Sequence, residues 1–139
     1  MPTLPISPQV RLLLERHIES YEQLEVVLLL HRCRDLRWTG DKVGQALNIP
    51  STAAETALAA LRRSGIAAEV READGSVGYL YAPASPTEAE AVDQLAEAYS
   101  TQRVEIMKLM NANALLRVRT GALRAFADAF DLGKGKKDG

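Results

Sequence analysis

Ser51, Thr52, Glu55 and Thr56 place three hydroxyl groups and one carboxylate close together on a predicted helix. Hydroxyl groups can exchange hydrogen bonds with the edges of DNA bases, and a glutamate can accept one from the amine of cytosine. The same residue types also have a simpler role, because a short hydroxyl side chain at a helix start caps free amide groups. These four residues, called the polar run below, could therefore serve either base recognition or helix capping.

Basic side chains surround the polar run. Residues 32–71 carry seven basic and four acidic side chains, so this segment is locally positive although the net charge of the chain is −1. Phosphate contacts are expected from Arg37, Lys42, Arg62, Arg63 and Arg71. The helix nevertheless starts without Arg, Lys, Asn or Gln, which are the strongest base readers, and residues 72–76 are acidic or neutral.

Catalytic and metal-binding patterns are sparse. His31 and Cys33 form a histidine–cysteine pair, but residues two apart on a helix point about 160° away from each other. They could share a metal only if the helix ended between them. Cys33 has no evident partner for nucleophilic catalysis. We expect no enzymatic activity, no cofactor and no metal site.

A first helix is predicted to begin at Thr39 or Asp41, both of which are suitable N-cap residues. Asn48-Ile49-Pro50 ends this helix, since proline lacks an amide hydrogen and disfavours helical dihedrals in the residue before it. The polar run then lies at the start of the next helix.

That second helix begins at Ser51 or Thr52, where Thr52 and Glu55 are able to form a capping box, and it ends at Gly65. The segments that follow, 66–71 and 77–81, predict two strands joined at Asp74-Gly75. Helix, tight turn, helix and hairpin in this order outline a winged helix, which offers its second helix to a DNA major groove.

Helical segments flank this unit on both sides. Residues 8–19 and 21–32 carry apolar side chains at spacings of three and four, and the second segment is apolar around most of its circumference, which predicts a central core helix. Ser85 opens a further helix that runs to about Met110, and a break is predicted at residues 111–113. The long apolar stripe of this region predicts burial against a second copy through Val92, Leu95, Tyr99, Ile106, Met107, Phe126 and Phe130.

Composition is that of an ordinary soluble globular chain, with 139 residues, 47% hydrophobic and 25% charged. The apolar run at residues 26–30 is too short to span a bilayer, and the N-terminus does not resemble a signal peptide. A single cysteine excludes an internal disulfide and agrees with a reducing compartment. We therefore expect a cytoplasmic location and no membrane partner.

The expected domain organisation has three parts. A winged-helix domain covers residues 1–84, with the helix-turn-helix at about 39–64 and the wing at about 66–82. A C-terminal helical dimerisation arm covers residues 85–131, and a flexible basic tail covers residues 132–139. A solvated tail is the simpler interpretation of that last segment.

Residues 38–81 resemble the winged-helix domains of bacterial transcriptional regulators of the MarR-like and Lrp-like kind. The resemblance is carried by Thr39, Val43, Leu47, Ser51, Leu58, Leu61, Gly65 and Ile66. The whole chain, including HIESYEQLEVVLLLHR and LRAFADAF, is similar to small bacterial winged-helix proteins. The resemblance implies dimeric DNA binding and names neither a ligand nor an operator.

These features predict a mainly α fold with a small β-hairpin, namely a winged helix-turn-helix followed by C-terminal dimerisation helices. The function expected first is that of a DNA-binding transcriptional regulator that acts on double-stranded DNA as a homodimer. The alternative is a winged helix that serves as a protein–protein interaction module without sequence-specific DNA binding. Its partner would be bound through the acidic flanking helices or through Phe126 and Phe130.

Overall fold

The computed structural model of the chain describes the backbone of residues 5–138 and the side chains of residues 5–130. The chain is a mainly α winged helix-turn-helix with additional C-terminal helices, which confirms the predicted fold class. Its elements in order are α1 (Pro8–Arg16), α2 (Tyr21–Arg32), α3 (Gly40–Leu47), α4 (Ser51–Arg63), β1 (Ala67–Arg71), β2 (Val77–Tyr81), α5 (Pro86–Thr101) and α6 (Arg103–Asp138). In the described part of the chain, no helix is both long and apolar enough to cross a membrane.

Side-chain caps set the starts of four helices. The Ser7 hydroxyl accepts a hydrogen bond from the Val10 amide in the first turn of α1. The hydroxyls of Ser20, Thr39 and Ser85 each accept a hydrogen bond from an amide in the first turn of α2, α3 and α5, respectively. The side chain of Ser85 also donates to the carboxylate of Glu88, so the two side chains are joined at the start of α5. The predicted start of α3 at Thr39 and the opening of α5 at Ser85 are thereby confirmed.

Helix α4 begins at Ser51, one of the two predicted starts, but its cap differs from the prediction. Pro50, in an extended conformation, occupies the N-cap position and makes no side-chain hydrogen bond, and Ser51 is already helical. Thr52 therefore lies inside the first turn, where it cannot form the predicted capping box with Glu55. The capping box was wrong because Pro50, with its preset φ, brings the chain into the helix before Thr52 is reached.

Helix α2 lies at the centre of the core, as its apolar circumference predicts. Its buried side chains are Leu24, Val26, Val27, Leu29 and Leu30. It packs against α3, α4, β2 and α5. Residues of α1, α5 and the start of α6 join the same buried cluster, so the segments predicted as winged-helix domain and dimerisation arm share one core.

The C-terminal helices break at a different place from the one predicted. Gln102 separates α5 from α6, and α6 continues through residues 111–113 and on through the predicted tail at 132–138. Asparagine costs only a few tenths of a kcal/mol inside a helix, so it does not by itself end one. Arg117 holds the next turn in place, because its guanidinium donates to the carbonyl oxygens at the end of α1, those of Leu14 (3.2 Å) and Glu15 (3.1 Å).

The corner at Gln102 redirects part of the predicted dimerisation stripe into the chain itself. Val92, Leu95 and Ile106 are 0% exposed and belong to the core of the single chain. Tyr99 and Met107 are half-buried against that core. The role of the three buried residues is accordingly internal packing in this structure, since α5 and α6 both pack against α1 and α5 also packs against α2.

A polar cluster ties this corner to the start of α2. The guanidinium of Arg103 lies 5.1 Å from the centroid of the Tyr99 ring and donates to the Tyr21 hydroxyl at 3.4 Å. Hydrogen bonds of the Tyr21 hydroxyl with Tyr99 and Glu25 raise the pKa of Tyr21 to about 12. The cluster thus favours the protonated phenol and orients α6 relative to α2.

The turn between α3 and α4 depends on a close backbone approach. Asn48 adopts a left-handed conformation with φ of 56°, and the Ile49 amide donates to the Gly44 carbonyl at 3.0 Å. A Cβ atom at Gly44 would lie 2.8 Å from the carbonyl oxygen of Ile49. Glycine at this position therefore permits the two helices to meet at their observed angle.

We expect Gly44→Ala to lower the free energy of unfolding by about 1–3 kcal/mol, because the added methyl forces a backbone shift. Gly121→Ala is the matched control, since a Cβ there meets nothing within 4 Å. Alanine in that exposed helical position should raise the free energy of unfolding by about 0.5–1 kcal/mol. Urea denaturation followed by circular dichroism measures both, and equal stabilisation by the two variants would contradict the close approach.

We expect Tyr21 to make the stability of the chain depend on pH in the alkaline range. Its raised pKa favours the protonated fold, so this contribution is complete below pH 10 and is lost as the pH rises towards about 12. Absorbance titration of the phenols should show a group ionising near pH 12 that Tyr21→Phe removes and Glu25→Ala shifts downward. Glu22→Gln, on the same turn of α2, should leave that titration unchanged, and an unchanged profile in Tyr21→Phe would refute the assignment.

Candidate nucleic-acid interface

The outer face of α4 carries the polar run singled out in the sequence. Ala54, Ala57, Leu58 and Leu61 are buried and set the rotation of the helix about its axis. Thr52, Glu55 and Thr56 are exposed on the opposite side, and Ser51 is half-buried. The structure therefore brings the four predicted base-reading residues to one end of α4, with three of them fully at the surface.

The hydroxyl of Thr56 already donates a hydrogen bond within α4. It donates to the carbonyl oxygen of Thr52 at 2.9 Å. This back-bonding leaves the oxygen lone pairs of Thr56 available, so its side chain would act towards a ligand mainly as an acceptor. Thr52 and Thr56 also border a cavity of about 310 Å³ between α4 and the start of α2, whose lining includes Ser20, Glu22 and Gln23.

Glu55 contacts the first turn of α3. A Cβ atom at Gly40 would lie 2.3 Å from Cγ and 3.0 Å from Oε1 of Glu55, so the glutamate side chain fills the space that the glycine leaves. The carboxylate thereby approaches the N-terminal end of α3, where the helix dipole favours negative charge. In this structure Glu55 stabilises the pairing of α3 with α4, a role that the sequence pattern did not suggest.

The wing is a two-stranded sheet with an added bridge. Strand β1 pairs antiparallel with β2, from Ala67 opposite Tyr81 to Arg71 opposite Val77. On the other edge of β2, Trp38 exchanges two backbone hydrogen bonds with Tyr79, at 2.8 and 2.7 Å. The chain just before α3 is thereby attached to the wing, which sets the position of the hairpin relative to the helix-turn-helix.

The wing tip is a hydrogen-bonded turn that carries negative charge. Asp74 accepts hydrogen bonds from the amide and the hydroxyl of Ser76, at 2.9 and 2.6 Å, and these bonds lower the pKa of Asp74 below its ordinary value. Gly75 completes the turn with a φ of 89°. The tip therefore presents a carboxylate that stays ionised at neutral pH.

The five basic residues predicted to contact phosphate fall into two groups. Arg37 pairs with Glu72 at 3.1 Å, and Arg62 pairs with Glu69 at 3.6 Å, so both are neutralised by carboxylates of the wing. The other three are exposed and form no ion pair with a carboxylate of the described residues: Lys42, Arg63 and Arg71. Charge available to an anionic partner thus comes from α3, the end of α4 and the end of β1.

A side-chain cluster that the sequence did not reveal joins α2, β2 and α5. His31 Nε2 lies 2.7 Å from Asp93 Oδ1 and 3.0 Å from a guanidinium nitrogen of Arg34, whose guanidinium is 5.4 Å from the centroid of the Tyr81 ring. Burial raises the pKa of Tyr81, and the charge of Asp93 adds to the effect. Tyr81 and Asp93 lie far from residues 31–34 in the sequence, so no local pattern could have indicated the cluster. Among the described residues, no group of three or more His, Cys, Asp or Glu side chains is placed to hold a metal ion.

The outer half of α6 exposes a continuous apolar stripe. Its large members are Leu115, Leu116, Leu123, Phe126 and Phe130, which fall on one side of a helix. The rings of Phe126 and Phe130 stack at 6.4 Å, and these side chains are 71% and 59% exposed. The two phenylalanines predicted for dimerisation therefore lie at the surface of the single chain.

No protein-family model matches the chain, and no curated protein matches it in sequence. Two solved structures are similar to it in part. The adhesin competence repressor AdcR from Streptococcus pyogenes is 21% identical over 88% of this chain and 90% of its own, with a TM-score of 0.44. A mutant of Lactococcus lactis ZitR is 20% identical over 80% of this chain and 75% of its own, with a TM-score of 0.43. At these values neither similarity carries weight for the function of this chain.

Proposed function

We propose that the chain is a DNA-binding transcriptional regulator that acts as a homodimer. The observation that carries this proposal is the exposed polar end of α4, presented by a tight helix-turn-helix and accompanied by a wing. A helix supported in this way has the dimensions to enter a major groove, with hydroxyl groups of its first two turns facing base edges.

The unpaired cations support the same interpretation. Lys42 lies in the first turn of α3, Arg63 at the end of α4 and Arg71 at the end of β1. They therefore belong to three elements of the helix-turn-helix and wing unit. Basic groups on the elements beside a recognition helix are suited to phosphate contacts, which set the position and register of a protein on DNA.

The dimer is supported by the outer half of α6. A stripe of five large apolar side chains, each more than half exposed, is costly to expose to water and is typical of an interaction surface. A second copy of the same chain supplies an identical stripe, so two α6 helices can cover each other in an isologous contact. Two copies of α4 would then face successive major grooves of a roughly palindromic site.

A protein-interaction module is the second candidate, and the charge of the wing favours it. Glu72 and Asp74 lie where a DNA-gripping hairpin usually carries basic residues, and the Thr56 hydroxyl is already bonded within α4. In that case the α6 stripe would receive a different protein. The two candidates differ in whether Lys42 and Arg63 contribute to binding of nucleic acid.

We expect the purified protein to enrich a few palindromic fragments from fragmented genomic DNA, with binding that persists at physiological salt. Lys42→Ala and Arg63→Ala should each weaken binding about equally across sequences and reduce the slope of log K against log salt by about 0.9. Lys108→Ala is the matched control, because this exposed cation lies on α6 and pairs with Glu105 at 3.8 Å. The absence of binding at low salt would exclude the DNA-binding function.

We expect the wild-type chain to sediment as a dimer at micromolar concentration, and Phe126→Ser combined with Phe130→Ser to sediment as a monomer. Removing two stacked aromatic rings from the stripe takes away much of the apolar area that a second copy would bury. Val118→Ser is the control, since Val118 is equally exposed but lies roughly a third of a turn away around α6. A monomeric wild type, or equal effects of the two changes, would contradict the assigned surface.

A further inference from the structure

We propose that Glu72 and Glu69 of the wing compete with DNA phosphates for Arg37 and Arg62, and so hold the DNA affinity of the free protein below what its basic residues would give. This autoinhibitory contact rests on the proposed DNA-binding function and concerns the regulation of the same site. Its basis is the internal pairing of two of the five basic residues that were predicted to contact phosphate.

The Arg37–Glu72 pair is the stronger of the two. A guanidinium nitrogen of Arg37 lies 3.1 Å from Glu72 Oε2 and forms both an ion pair and a hydrogen bond. The Glu72 side chain is only 31% exposed, so the carboxylate is partly shielded from water. A charge-assisted hydrogen bond of this kind satisfies the same donor that a phosphate oxygen would use.

The Arg37–Glu72 contact crosses strand β2 at a glycine. Arg37 precedes Trp38 on one edge of β2, whereas Glu72 follows β1 on the other edge. The glutamate reaches the arginine over Gly78 of β2, where a Cβ atom would lie 3.2 Å from Glu72 Oε1 and 3.7 Å from the Trp38 carbonyl oxygen. The missing side chain at Gly78 lets the carboxylate cross the strand.

The Arg62–Glu69 pair repeats the arrangement at the end of α4. Arg62 Nε lies 3.6 Å from Glu69 Oε2, and both side chains are more than two-fifths exposed. The longer distance and greater exposure make this the weaker ion pair, because water screens the two charges. Binding of DNA through either arginine must first replace a wing carboxylate with a phosphate, and the displaced carboxylate then repels the DNA.

The direct test is a double-mutant cycle on binding to a short fluorescent duplex of mixed sequence, measured between about 50 and 200 mM salt. We expect Glu72→Gln to tighten binding about two- to fivefold, the range that one exposed ion pair allows. It should also steepen the slope of log K against log salt by about 0.9, because one more phosphate is neutralised. In the Arg37→Gln background the same change should have little effect. Glu69→Gln should act in the same direction more weakly.

Asp74→Asn is the matched control, since it removes one negative charge from the same wing tip while Asp74 is bonded to Ser76 and to no arginine. A gain from Asp74→Asn equal to that from Glu72→Gln would overturn the proposal in favour of general repulsion. The proposal would also be overturned if Glu72→Gln still tightened DNA binding in the Arg37→Gln background. In both of these cases the DNA-binding function itself would stand. If neither the wild type nor Glu72→Gln binds DNA at low salt, both the autoinhibitory contact and the DNA-binding function are excluded. If Glu72→Gln binds DNA and the wild type does not, both the autoinhibitory contact and the DNA-binding function are supported.

Discussion

The close approach of the Ile49 carbonyl to Gly44 is the constraint on which the functional surface depends. The tight turn at Asn48 places α4 against α3, and the glutamate on α4 then fills the space above Gly40. Because the buried face of α4 packs on α2 at the centre of the core, the polar end of the helix has one available direction, towards solvent. The wing is attached to the same unit through Trp38.

The exposed basic residues of this unit fall into two groups. Arg37 and Arg62 pair with wing carboxylates, whereas Lys42, Arg63 and Arg71 form no ion pair with a carboxylate of the described residues. A protein of nearly neutral net charge can in this way carry a local positive surface without attracting polyanions strongly. In the proposed regulator, base contacts from α4 would then contribute a larger share of binding than phosphate attraction alone, which favours discrimination between sites.

Local signals in the sequence were sufficient to predict the helices and the hairpin of the winged-helix unit. Thr39, Pro50 and Gly65 act within one turn of their own position, so the helix boundaries and the hairpin could be predicted to within a residue or two. Contacts between distant residues could not be predicted. Arg117 keeps α6 helical by bonding carbonyl oxygens about a hundred residues earlier, and the wing pairs its carboxylates with arginines that the sequence presents simply as basic. The burial of Val92, Leu95 and Ile106 likewise depends on the corner at Gln102, for which the sequence carries no proline or glycine signal.

The most direct test of the central claim, that the polar end of α4 binds DNA, is an amide chemical-shift map of the nitrogen-15-labelled protein titrated with a short DNA duplex. The account predicts that the largest shifts fall on residues 51–56, with further shifts at Lys42, Arg63 and Arg71, and that residues 115–130 of α6 are unaffected. Shifts confined to α6, or no shifts at low salt, would contradict it and direct attention to a protein partner for the same fold.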